Sequence, residues 1–194
     1  MLVPYMASSA WYAGWLKGLS LGMPAEEAAG FACCAADVYG KDYVRCRITG
    51  GNGIILLSES IEGGASRLKK SNRHGALMLS DHGNWRHIHM GALNASYGRT
   101  PYYQHFMPLL EEVYNSGEMS LSGFNGMIHS AICRMLCGDD SPEELLRLAG
   151  EIPRARQRGA EISADVFPEL SVIDALMRHG KDAFLALAVM KNRM

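Results

Sequence analysis

The residues with the strongest claim to chemistry stand in one run, Asp81-His82-Gly83-Asn84-Trp85-Arg86-His87-Ile88-His89. Ser80 or Asp81 can cap a helix that runs to about Tyr97, with Gly98 as its stop. The first backbone N–H groups of such a helix, around His82 to Asn84, are unpaired and sit in a positive local dipole, which suits an anion such as phosphate. Arg86, one turn on from His82, adds a planar guanidinium to the same patch. A capping Asp81 carboxylate would compete with the anion for those donors. Trp85 and His89 are also one turn apart, so the imidazole can stack on the indole and keep a nitrogen free. His82 and His89 are therefore the catalytic candidates, as general bases with a pKa near working pH. Asn84, Trp85 and Arg86 are substrate-binding candidates, with Trp85 an apolar wall.

A metal site fits this segment poorly if it is helical. His87 and His89 project about 200 degrees apart, and His82 and His89 are separated by about 10 Å along the axis. An extended conformation would put His87 and His89 on one face and reopen the question. The same residues also have a purely structural reading, in which Trp85, Ile88, Ala92 and Ser96 form a core-facing stripe flanked by hydrogen-bonded His82 and His89.

The elements that must carry this segment divide unevenly along the chain. Leu2-Val3-Pro4-Tyr5 reads as a short strand, Ala10 to Lys17 as a helix, and Pro24 through Ala36 as a helix of small residues that packs closely against something. Tyr43 to Ile48 alternates with period two, Ile54 to Leu57 is apolar, and Thr49-Gly50-Gly51-Asn52-Gly53 joins them as a hairpin. Val44, Cys46 and Ile48 share its inward face. The stretch 62–75 is polar and Gly/Lys/Arg-rich, a mobile loop by composition, and ends at a candidate strand, Ala76 to Leu79. Beyond the signature, Thr100-Pro101 opens a helix that Pro108 splits. Ser120 to Cys137 is amphipathic, Ser141-Pro142-Glu143-Glu144 is a capping box for a helix ending at Gly150, and Arg154 to Arg158 is a solvated basic run. Short helices at Ser171 to His179 and Asp182 to Met190 close the chain. The pattern predicts an α+β (α/β-type) fold: a small mixed sheet of about four strands in the N-terminal half, covered by helices that dominate the C-terminal half. One domain over 1–194 is expected.

Composition narrows the function classes. With 48% hydrophobic and 20% charged residues the chain should fold without staples. A net charge of -1 lacks the footprint of a nucleic-acid or membrane-surface binder, so neither partner is expected. The absence of a basic n-region or a long apolar run predicts a soluble, cytoplasmic protein. The five cysteines show no pairing framework, and Cys133 and Cys137 lack a matching ligand pair, so packed thiols and no metal are expected. No cofactor is predicted either: Gly50-Gly51-Asn52-Gly53 joins two strands and opens no helix, unlike a phosphate loop.

Ser80 through His89, then Tyr97 and Thr100-Pro101-Tyr102-Tyr103, resemble the central signature of WbqC-like proteins. Gly51 to Leu57 resembles that family's hairpin and Leu170 to Leu176 its C-terminal motif. The resemblance adds Tyr97 and Tyr102 to the substrate-binding candidates. It implies a role in surface polysaccharide (O-antigen type) biosynthesis, with a nucleotide sugar or glycan precursor as small-molecule partner and a transferase as the expected activity. Tyr5-Met6-Ala7 and Cys33-Cys34-Ala35-Ala36 replace the family's Tyr-Leu-Pro-like start and its polar strand before the hairpin. That departure gives the alternative of a non-catalytic binding or scaffold protein derived from the family.

Overall fold

The computed structural model describes residues 3–36, 43–64, 67 and 76–193. Its first layer is a helical hairpin, α1 (Ser9–Ser20) and α2 (Ala25–Ala35). Ser8 caps α1 by accepting the Trp11 N–H, and α1 buries Trp11, Tyr12, Trp15 and Leu16. Small residues let the pair approach: a Cβ at Gly18 would stand 2.9 Å from Ala28 Cα, and one at Gly14 would stand 3.2 Å from Ala32 Cα. The alanine-rich helix thus finds its close neighbour in α1.

Strands β1 (Arg45–Gly50) and β2 (Gly53–Ser58) form an antiparallel hairpin with Arg47 opposite Leu56 and Ile48 opposite Ile55. Val44, Cys46 and Ile48 face the core as the alternation requires, joined by Leu57. Among the described residues this hairpin is the whole sheet, which corrects the expectation of about four strands. The fold is still mixed α+β, but mainly helical. At the N-terminus the chain around Pro4 takes no regular structure, and Leu2 lies outside the described residues. Pro4 cannot donate to a ladder, and a turn with Met6 at φ 40 follows at once. Residues Leu77 to Ser80 do not form a strand because their backbone groups go to two different segments. Leu79 N donates to Met119 O while Ser80 N donates to Ser60 O, leaving only single bridges, Ile61 with Leu79 and Met78 with Ser120. The loop expected over 62–75 falls largely outside the described residues.

The signature helix is α3 (Trp85–Tyr97), followed by α4 (Tyr103–Tyr114) and α5 (Leu121–Cys137). Pro108 does not split α4. Pro108 and Gln104, whose carbonyl it deprives of a donor, both face solvent, where water can serve that carbonyl. The buried stripe of Phe106, Leu110 and Val113 holds the helix whole. α6 (Pro142–Glu151) begins at the expected cap, where Ser141 Oγ accepts the Glu144 N–H at 3.1 Å. The basic run lies on α7 (Pro153–Ser163), and α8 (Val172–His179) and α9 (Ala183–Met190) complete the core. Gly159 admits the close approach of α7 to the Leu185 backbone, at 2.5 Å from a notional Cβ. No helix among the described residues is long and apolar enough to cross a membrane.

Candidate functional site

The signature folds in two parts. His82–Asn84 makes a 3-10 turn in which Gly83 (φ 81) and Asn84 (φ 49) are both left-handed, and α3 begins only at Trp85. Two successive positive φ values cannot extend a right-handed helix, so the start moves beyond Ser80 and Asp81. Asn84 N–H reaches Asp81 O at 3.4 Å, and no side chain caps α3. The Asp81 carboxylate instead stands 3.8 Å from Arg86 Nε. His82 and Arg86 therefore do not share a helical turn, and the first amides of α3 are not taken by the acid.

Trp85, Arg86 and His89 point inward. The Trp85 indole donates to Ser80 O at 2.8 Å and meets the His89 ring at 5.1 Å and the Phe124 ring at 5.5 Å, both edge-on. The Arg86 guanidinium lies over the Trp85 and Phe124 rings, at 4.7 and 4.5 Å, and donates to Glu118 O at 2.6 Å. A second donor reaches Tyr114 O at 3.5 Å, so the guanidinium ties α3 to the backbone that leads into α5. His89 is only 3% exposed, with Nδ1 2.7 Å from the Tyr5 hydroxyl. The Ser58 backbone at the end of β2 pulls its pKa up, against the larger effect of burial. The Tyr5 hydroxyl also lies in short contact with the Tyr114 hydroxyl.

Glu59 completes this cluster. It is 6% exposed, and both carboxyl oxygens are buried without a hydrogen-bond partner. Burial pushes its pKa well above the usual carboxyl range, against the pull of the Arg86 charge. Burial likewise raises the Tyr5, Tyr114 and Cys46 values and draws His89 down to about 4. Burial thus favours the uncharged form of each acid in the cluster and of the imidazole, beside the Arg86 guanidinium.

The remaining candidates stand elsewhere. His82 and Asn84 are exposed at the edge of the cluster, where Ser60 Oγ donates to His82 O at 3.1 Å. Tyr97 is buried at the far end of α3 and donates to Asp174 of α8 at 3.1 Å, with Arg178 3.3 Å from the same carboxylate. Tyr102 stacks on Phe106 and packs against Gly180. Neither tyrosine reaches the His89 cluster by a contact.

Three residues of the cluster escaped the sequence reading. Glu59 had a signal: counting by two along β2 from inward-facing Leu57 arrives at it, so the strand's alternation carries a carboxyl into the core. Tyr114 continues the buried stripe of α4, and Tyr5 is legible only as an apolar N-terminal position. Among the described residues no group of three or more His, Cys, Asp or Glu could hold a metal ion. Burial holds the Cys133 thiol up at about 12, in line with packed thiols.

Fold and site together define a mainly helical α+β protein in which one hairpin end and one signature helix enclose a buried Tyr–His–Glu cluster. The chain belongs to the WbqC-like protein family, whose sequence model matches residues 41–140. That stretch includes the hairpin, the signature and α5, whereas Tyr5 and the Leu170 to Leu176 motif lie outside it. No curated protein and no solved structure matches the chain.

Proposed function

We propose that the protein is a cytoplasmic enzyme of surface-polysaccharide precursor metabolism, a group transferase that acts on a nucleotide-linked sugar at the start of α3. The observation that carries an enzymatic reading is Glu59. Leaving a buried carboxyl without partners costs on the order of 1–3 kcal/mol, and a role in packing alone gives no reason to keep it. The polysaccharide context comes from the resemblance of the signature to its family.

In this reading the uncapped amides of α3 receive the nucleotide phosphate, with exposed Asn84 and His82 beside them. His82 takes the proton of the acceptor hydroxyl as its oxygen bonds to the transferred group, and the phosphate oxygen leaves with the electron pair. His89, held neutral far below working pH, positions Tyr5 and does not itself take the proton. Thermal-shift measurements with a panel of nucleotide sugars at millimolar concentration test the reading. Stabilisation by at least one of them, lost in His82→Ala without a change in the unliganded melting temperature, is the expected result. No stabilisation by any of them would refute it.

A second reading, a non-catalytic binding or scaffold protein, is favoured by Arg86, whose guanidinium is taken up by backbone carbonyls and two rings. Turnover of any nucleotide sugar that depends on His82 would exclude it.

A further inference from the structure

A cavity of about 580 Å³ opens between α4 and α5, away from the His89 cluster. Its apolar walls come from Leu109 and Val113 of α4 and Met127 of α5, and Met127 is 36% exposed. The α5 side is small: a Cβ at Gly126 would meet nothing within 4 Å, and Ser130 follows one turn later. Another helix can therefore approach this backbone closely.

The two charged residues of the cavity wall have opposite signs. Glu112 and Arg134 are both exposed, and neither enters an ion pair between described residues. The floor does not call for a small polar ligand. His129 is 8% exposed and already satisfied, with Nδ1 2.9 Å from the Tyr12 hydroxyl and Nε2 3.5 Å from Cys133 Sγ. An anion or a cation entering the groove would meet one like charge as well as one opposite charge.

A copy of the same surface would not. The Tyr114 and Phe124 rings, 5.5 Å apart, set the end of α4 against the start of α5, so the two helices run in opposite directions. Glu112 then lies toward the Gly126 end of the groove. Arg134 lies toward the other, roughly 12 Å further along α5 from Gly126 at the helical rise. A two-fold axis crossing the groove between these ends carries each Arg134 over the other copy's Glu112. It seats Met127 and Leu109 against the facing copy and forms two identical ion pairs.

We propose that this groove is a self-association face, occupied by a second copy of the chain across a two-fold axis, with Arg134 of each copy paired to Glu112 of the other. Sedimentation velocity on the full chain, from micromolar to near-millimolar concentration and at low and high salt, is the test. A concentration-dependent dimer that weakens with salt is expected. Arg134→Glu should weaken dimerisation about tenfold or more, because each pair becomes a like-charge contact and occurs twice. The double exchange Glu112→Arg with Arg134→Glu should restore it. Gly126→Leu, which fills the groove, should abolish the dimer while circular dichroism and melting temperature stay unchanged. A chain that stays monomeric throughout overturns the proposal. So does a dimer indifferent to Arg134→Glu and Gly126→Leu, or an Arg134→Glu defect that the double exchange does not repair.

Discussion

The Tyr5 hydroxyl and His89 Nδ1 lie 2.7 Å apart, joining the start of the chain to the middle of the signature helix. The same hydroxyl meets Tyr114, so one oxygen ties three segments together. Tyr5→Phe removes it while keeping the ring. His89 Nδ1 and the Tyr114 hydroxyl are then left unsatisfied in the core, at a cost of about 1–3 kcal/mol in a urea unfolding experiment. An unchanged midpoint would show that the hydrogen bonds contribute nothing net.

His89 titrates at about 4, below its ordinary value, because burial disfavours the imidazolium. A depressed folded-state value means that the stability it contributes is present above about pH 6.5 and is lost as pH falls through about 4. The His89 ring proton shifts in NMR should stay flat from pH 8 to about 5. Titration near 6.5 would mean that the ring is open to water.

Glu59 acts in the opposite direction. Its folded-state value is raised, so its contribution is fully present below the ordinary carboxyl value of about 4.3 and is lost as pH rises through the folded value. Glu59→Gln keeps the shape and removes the titration. The variant should match the parent near pH 4 and exceed its stability by a margin that widens as pH rises above the ordinary carboxyl value. Parallel stability curves for the two proteins across that range would sink the assignment.

Arg86→Lys separates a structural guanidinium from a ligand-binding one. Lysine cannot bridge the Glu118 and Tyr114 carbonyls while stacking on Trp85 and Phe124, contacts that arginine makes through its planar fork. A loss of about 1–3 kcal/mol in the unliganded protein is expected. A variant with an unaltered melting temperature and weakened anion binding would point instead to a phosphate ligand.

Gly83→Ala tests the left-handed turn that displaces the start of α3. With φ at 81 and nothing within 4 Å of a notional Cβ, the cost is conformational and not steric crowding, about 1 kcal/mol or more. Asn84→Gly, at φ 49, should be close to neutral when both variants are compared with the parent by urea unfolding. Equal effects at the two positions would argue against this turn geometry.

Much of the local structure was written in the chain. The Ser8, Ser120 and Ser141 caps, the period-two face of Val44, Cys46 and Ile48 and the glycine-rich hairpin turn are short-range features, set by hydrogen bonds and alternation within a few residues. The signature from Asp81 to His89 was enough to point to the family. What it does was not legible there, because the segment's shape depends on its neighbours. Asn84 takes a left-handed backbone where a helix start was expected, and the donors of Arg86 are claimed by carbonyls of Tyr114 and Glu118, far along the chain. The apolar run Leu77 to Leu79 had strand composition, yet whether it forms a strand depends on which backbones lie beside it, and here two different loops do. Only the tertiary structure brought Tyr5, Glu59, His89 and Tyr114 to one place, because burial in a shared core, and not spacing along the chain, decides which polar groups meet and how far their protonation is shifted.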